Sequence, residues 1–296
     1  MFADRQEQNM HYVEAKGILS PKNGMNIYRG CTHGCIYCDS RSSCYNMPHA
    51  FADIEVKINA PALLEKALVS KRKKCMIGTG AMCDPYMPLE AELNLTRRCL
   101  ELIDRYQFGA AIQTKSDLIL RDAELLGSIN EHSKAVVQMT LTTFDDELCR
   151  IIEPGVCPSS RRFEVLMEMK RLNIPTVVWL SPFLPFINDT QENIDGLLRY
   201  CAEAGVKGII CFDVGVTLRE GNREYFYAAL DKHFAGLSDK YRREFGTSYV
   251  ISSPHSRELM HRIDDFCEKY GIIHDINSCF EYMKEYPEPY EQLTFF

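Results

Sequence analysis

The chain has 296 residues, 46% of them hydrophobic and 25% charged, an ordinary globular composition with enough apolar side chain for one barrel-sized domain or two small ones. Its formal net charge of −7 excludes a chain that coats nucleic acid non-specifically, and no apolar run reaches the roughly 18 residues of a membrane span. The polar start MFADRQEQNMHYVEAKG is neither a secretory signal nor an Arg-rich transit peptide, and an odd count of 13 cysteines points to reduced thiols in a cytoplasm rather than a disulfide framework.

In chain order, residues 1–24 are a lead-in segment. Met25–Tyr28 reads as a short strand, and Gly30–Cys38 follows as a loop with three cysteines. Residues 39–60 read as irregular, with Pro48 among them. Pro61 stands in a first-turn position before a helix Ala62–Ser70, and Lys71–Lys74 reads as its solvated end. A strand at Cys75–Thr79 runs into the turn-forming segment Gly80–Tyr86, and Asn94 or Thr96 starts a helix through Arg105. The rhythm then becomes regular. Strands are expected at Ala110–Gln113, Ala135–Leu141, Pro175–Leu180 and Val206–Phe212. Helices are expected at Asp117–Asn130, Asp145–Ile152, Ser160–Asn173 and Thr190–Ala204. Short apolar strands flanked by helices, in about six units, predict a parallel sheet curled into an α/β partial (β/α)6 TIM-like barrel over residues 1–215. From 216 to 296 the pattern changes to a helix-rich C-terminal extension, with helices at Asn222–Phe234, Ser238–Arg243 and Ser256–Tyr270 and a strand at Tyr249–Ile251. An extended tail is expected around Tyr286–Tyr290, where prolines forbid helix.

The chemistry is concentrated in Cys31, Cys35 and Cys38, spaced C-x3-C-x2-C. Thiolates hold iron–sulfur clusters. Three thiolates on one short loop leave a four-iron cluster with one iron open to a small molecule. Zinc would want a fourth ligand, which His33, Cys44 or His49 could supply, but Tyr37 just before the last cysteine and the α/β chain behind it argue against zinc. In barrels of this type functional groups gather at the carboxyl ends of the strands. There the chain places Gly78–Tyr86, Thr114-Lys115-Ser116, Thr140 with Thr142, and Ser181-Pro182.

Gly30–Cys38 resembles the signature of the radical S-adenosylmethionine superfamily. Within it, the chain is similar to the spore photoproduct lyase-like branch, the "DNA repair photolyase" group. The resemblance covers residues 18–215. It rests on Asn26–Cys38, Gly78-Thr…Asp84-Pro-Tyr86, Leu95-Thr-Arg97, Thr114-Lys-Ser116, Leu120-Arg-Asp122, Thr142–Glu147, Glu153-Pro154 and Arg161-Arg162, in that order.

This resemblance implies a [4Fe-4S] cluster on Cys31, Cys35 and Cys38. Its open iron chelates S-adenosyl-L-methionine, and an external flavodoxin- or ferredoxin-like reductant supplies the electron that yields a 5′-deoxyadenosyl radical. Tyr37 is expected to place its backbone near the adenine, and Lys115 to meet the methionyl carboxylate. Asp84, Thr140 and Ser181 are expected to contact the amino group, ribose or adenine. The substrate class implied is a nucleic-acid base. Radical modification of a peptide, a tRNA or a small metabolite is one alternative, and a non-catalytic zinc- or Fe-S-binding protein is another. Cys83 is the candidate hydrogen-atom donor, the role a cysteine has in spore photoproduct lyases. In those enzymes it lies one residue further from the Asp-Pro pair, so Met82 takes the donor's place and Cys83 a cofactor-contacting one. A one-residue offset turns a side chain to the other side of an extended loop.

Overall fold

The computed structural model describes residues 9–287. The start of the lead-in segment and most of the expected tail at Tyr286–Tyr290 lie outside the described residues. The first strands are β1 (Met10–Val13), β2 (Gly24–Met25), β3 (Tyr28–Arg29) and β4 (Ile54–Lys57). The single strand expected at Met25–Tyr28 is therefore split between two sheets. β3 pairs antiparallel with β4, and β4 pairs parallel with β1. The 39–60 stretch is more ordered than its composition suggests. It holds two 3-10 turns, Asp39–Arg41 and Ser43–Tyr45, and then β4, whose Ile54 and Val56 point into the core.

The main sheet is completed by β5 (Met76–Thr79), β6 (Gly109–Thr114), β7 (Ala135–Thr140), β8 (Thr176–Trp179) and β9 (Gly208–Ile210). All neighbours are parallel, in the order β2-β5-β6-β7-β8-β9. The two end strands do not pair with each other, so the barrel is partial, as expected. Every residue of β7 is buried, the mark of a strand covered on both faces. Around the sheet lie α1 (Ala60–Ser70), α2 (Glu90–Leu93), α3 (Leu95–Arg105), α4 (Ala123–His132), α5 (Asp146–Ile152), α6 (Ser159–Arg171) and α7 (Gln191–Ala204). The helix expected over Asp117–Asn130 is divided. Ser116 Oγ accepts from Leu118 N, a 3-10 segment runs Asp117–Asp122, and the α-helix begins only at Ala123. α7 is bounded by its local chemistry. Thr190 Oγ1 accepts from Asn193 N at 3.2 Å, and Gly205 ends the helix at φ +65°.

The C-terminal segment contains β10 (Gly215–Thr217), α8 (Asn222–His233), α9 (Leu237–Phe245), β11 (Val250–Ser252), α10 (Ser256–Tyr270) and α11 (Ile276–Lys284). β10 and β11 pair antiparallel. α10 lies on α7, where Arg262 grips Asp195 through two bonds of 2.5 and 2.6 Å. The chain before α11 adds to the free edge of β9, with Ile209 N to Ile273 O at 2.8 Å and Ile273 N to Lys207 O at 3.1 Å. That covers an edge that would otherwise template pairing with another chain. The segment also shares a core with the cysteine loop. Cys35, Ile36 and Tyr37 pack with Leu184, Phe226, Leu230, Tyr241 and Ile251. Phe226 and Tyr241 are fully buried there, each contributing about 1.5–3 kcal/mol relative to exposure. No helix among the described residues is long and apolar enough to cross a membrane.

Candidate active site

The parallel sheet delivers all its strand ends to one side, and the cysteine loop lies beyond β3. Gly30 sits at φ +92°, and a Cβ there would meet the Phe51 carbonyl at 2.6 Å, so the position belongs to glycine. Cys31 N donates to that same carbonyl at 3.1 Å. Further on, Ile36 N donates to Ile152 O at 3.0 Å and Gly155 N to His33 O at 2.8 Å. Gly155 allows this contact because a Cβ would lie 2.6 Å from the His33 carbonyl. The loop is therefore clamped from both sides by backbone bonds to the 50–53 turn and the 152–155 corner. Cys31 and Cys35 are buried and Cys38 half-buried. Burial pushes the Cys31 thiol up to about 12 and raises Cys35 as well. Both stay protonated unless a cationic centre draws out the thiolates.

Beneath the loop is an ion pair excluded from water. Glu153 and Arg162 are both 0% exposed, with Arg162 Nη2 2.5 Å from Glu153 Oε2. Tyr37 OH donates to the other oxygen of Glu153. Arg162 also donates to Thr140 O at 3.0 Å and Cys157 O at 2.9 Å. Burial pushes Glu153 up, but Arg162 and Lys115 outweigh it and hold the carboxyl below its ordinary range. Burial likewise opposes charge on Lys115, yet the negative charge of a Cys35 thiolate and of Glu153 outweighs it and raises the ammonium above its usual value. Lys115 Nζ stands 6.0 Å from the Tyr37 ring centroid. The fixed cation of the site is thus placed beside the cysteine loop.

Asp84 organises the strand ends. Its Oδ1 accepts from Tyr86 N at 2.9 Å and Thr114 Oγ1 at 2.7 Å. Its Oδ2 accepts from Lys115 N at 2.7 Å and lies 3.5 Å from His33 Nδ1. Burial lowers the His33 pKa, which favours the neutral ring. Thr140 is buried at the end of β7, and its hydroxyl has no partner among the described residues; the same holds for Thr142, Thr143 and Thr32. Buried hydroxyls are normally paired with protein or water, so these are available to polar atoms of a bound group. Ser181 is half-buried beside β8, in a cis peptide bond with Pro182. Cys83 is buried, and its Sγ donates to the Tyr28 carbonyl at 2.9 Å; Met82 beside it is half-buried.

Several motif residues have a structural role that their spacing did not disclose. Glu90, which the sequence pattern did not single out, is fully buried and accepts from Tyr28 OH, Thr96 N at 3.0 Å and Arg121 Nη2 at 2.9 Å. Asp122 accepts from Arg97 Nη1 at 2.7 Å, Arg121 Nη2 at 2.8 Å and Tyr86 OH at 3.1 Å. Leu95-Thr-Arg97, Leu120-Arg-Asp122 and Tyr86 therefore converge on one network behind the Gly80–Tyr86 loop. The only hint in the sequence was Glu90 standing among Pro88, Leu89 and Leu93.

Three free thiols on a glycine-shaped loop, a cation beside them and unpaired buried hydroxyls on the loop and at the strand ends fit an iron–sulfur cluster with a zwitterionic, adenosine-bearing cofactor. Comparisons agree. A family model described as the radical SAM superfamily matches residues 25–198. An uncharacterised protein of Methanocaldococcus jannaschii is 31% identical over 187 residues, 60% of this chain and 69% of its own length. One of Mycobacterium tuberculosis is 26% identical over 264 residues, 85% and 75%. Among solved structures, a cysteine-to-alanine variant of spore photoproduct lyase superposes with a TM-score of 0.65 at 14% identity, covering 90% of this chain and 81% of that one. The same lyase complexed with dinucleoside spore photoproduct gives 0.60 at 13%, covering 91% and 79%. The chain belongs to the radical SAM superfamily, whose cofactors are a [4Fe-4S] cluster and S-adenosylmethionine.

Proposed function

We propose that this radical SAM enzyme acts on a nucleobase in single-stranded or locally opened nucleic acid. The observation that supports this is an arginine–tyrosine rim around the cysteine loop. Arg41 lies 3.9 Å over the Tyr225 ring and 4.4 Å over Phe51. Tyr225 OH in turn reaches the Gly34 carbonyl at 3.5 Å. Arg219 lies 4.9 Å over Tyr249 and 5.8 Å over Tyr45, and donates to Tyr249 OH at 2.6 Å and to Cys44 Sγ at 3.2 Å. Tyr225 and Tyr249 are 37% and 44% exposed. Exposed aromatic faces beside guanidinium groups are stacking platforms for bases. The net charge of −7 weighs against a long nucleic-acid footprint. The fold match to a lyase solved with a dinucleoside is in keeping with this.

When bound, the cluster and S-adenosylmethionine supply a 5′-deoxyadenosyl radical that abstracts hydrogen from the substrate. In this reading Cys31, Cys35 and Cys38 are the cluster ligands. Lys115 Nζ meets the methionyl carboxylate, and the Tyr37 backbone, Thr140 and Ser181 border the adenosyl group. Asp84 acts chiefly as a positioning residue, since it fixes the Lys115 backbone. Cys83 is spent on the Tyr28 carbonyl, so the reading assigns it no hydrogen-atom transfer and does not require thymine-dimer repair. The source of the electron is an external one-electron reductant.

Fluorescence anisotropy with a short single-stranded oligonucleotide tests the rim. Stacking on an aromatic side chain is worth about 1–3 kcal/mol per base, so Tyr249→Ala should weaken binding by roughly 5- to 150-fold, with Arg219→Ala acting in the same direction. Equal affinity for wild type and both variants, or no oligonucleotide binding at low salt, would refute the nucleobase reading while leaving the radical chemistry in place.

A further inference from the structure

The small sheet carries side chains that the radical chemistry does not use. β1 and β4 run parallel with His11 opposite Glu55, which puts both on one face. His49 stands over that face. Its ring centroid is 4.7 Å from that of His11, with the planes at 86°, and its Nε2 is 3.8 Å from Glu55 Oε2. That Nε2 is buried and has no hydrogen-bond partner among the described residues. One ligand atom from each of His11, His49 and Glu55 lies within 4.8 Å of the others. The three side chains are 40%, 14% and 17% exposed, so an ion can reach them.

We propose that His11, His49 and Glu55 form a binding site for a divalent zinc-type ion, with water as the fourth ligand. Two imidazoles and one carboxylate are a donor set for a borderline first-row cation. They are too nitrogen-rich for Mg²⁺ or Ca²⁺ and lack the sulfur that Cu(I) prefers. The other nitrogen of each imidazole already has a partner. His11 Nδ1 lies 3.1 Å from Asp53 Oδ1, and His49 Nδ1 lies 3.1 Å from the Ala50 carbonyl. Acceptors at both Nδ1 atoms favour the tautomer whose Nε2 carries no proton and is free to act as a ligand.

The ion would tie β1 and the 49–53 turn to β4. That turn presents the Phe51 carbonyl to Cys31 N at 3.1 Å. The site therefore braces the peptide that seats the first cysteine of the loop. It shares no ligand with the cysteine loop and stands whether or not the substrate is a nucleobase.

The test uses anaerobically reconstituted, iron-loaded protein titrated with ZnCl₂ against a chromophoric chelator, followed by zinc-edge X-ray absorption. The expected result is about one added zinc per chain, with only nitrogen and oxygen neighbours at roughly 2.0–2.1 Å. Binding should be at least about tenfold weaker in His49→Ala and in Glu55→Gln, as loss of one ligand predicts. Glu55→Gln keeps the side chain's shape, and a circular dichroism spectrum matching zinc-free wild type separates ligand loss from misfolding. A sulfur neighbour at roughly 2.3 Å, no uptake at micromolar zinc, or equal affinity in wild type and both folded variants would overturn the proposal.

Discussion

Arg162→Ala should lower the stability of the protein by about 3–5 kcal/mol, the range for removing one partner of a buried ion pair. The loss is large because Glu153 is 0% exposed and would be left either charged with no guanidinium beside it or forced to take up a proton. The Thr140 and Cys157 carbonyls lose their donor as well. The damage extends to the cysteine loop, since Tyr37 is anchored on Glu153 and stands next to Cys38. Urea denaturation of anaerobic protein, with iron content read in parallel, should show reduced stability and reduced iron retention together. A double variant Glu153→Leu/Arg162→Leu should recover part of the stability, because an apolar pair removes the stranded charge. It should not recover iron retention, because replacing Glu153 removes the acceptor on which Tyr37 is anchored. A loss below about 1 kcal/mol, the range of exposed pairs, would show that this ion pair does not organise the site.

Lys115→Ala should weaken S-adenosylmethionine binding without bleaching the protein. The ammonium stands beside the cysteine loop and is held in its charged form. A hydrogen bond to a charged group is worth about 1.5–3 kcal/mol, which is roughly a ten- to hundredfold loss of affinity. Lys115→Arg should recover part of it, since charge is kept but its geometry changes. Equilibrium binding to the oxidised, iron-loaded protein measures this without turnover. Unchanged affinity at full iron content would remove Lys115 from the cofactor site.

The cysteine loop was legible in the sequence because ligand spacing is itself chemistry: C-x3-C-x2-C marks a soft-metal site, and Tyr37 with the α/β chain behind it favoured iron–sulfur over zinc. The β5–β9 rhythm was legible for a related reason, since buried parallel strands are continuous apolar runs such as Ala135–Thr140. The buried charges were not legible. Glu153 and Arg162 were visible as motif residues, but nothing local says that they meet or that Tyr37 closes the triad. Glu90 draws partners from positions 28, 96 and 121, a convergence that only the fold creates. The small sheet was missed because β1 and β4 have four residues each and pair across more than forty residues of chain. α11 is a different case. Ile276, Cys279, Phe280 and Met283 follow helical spacing, and Asp275 Oδ1 caps Ser278 N at 2.8 Å, so its signal was present in the residues themselves. Cys83 shows the remaining limit. Its place beside Asp84 was plain, but its direction, toward the Tyr28 carbonyl, depends on how the loop turns.

The central claim is that Cys31, Cys35 and Cys38 hold a four-iron cluster on which S-adenosylmethionine is cleaved. The most direct measurement is anaerobic reconstitution followed by reduction with dithionite in the presence of S-adenosylmethionine, with iron and 5′-deoxyadenosine both quantified. The expected result is a brown protein with roughly four irons per chain that forms 5′-deoxyadenosine, and a Cys35→Ala variant that forms none. A colourless protein with zinc on its cysteines, or an iron-loaded protein that releases no 5′-deoxyadenosine, would contradict it.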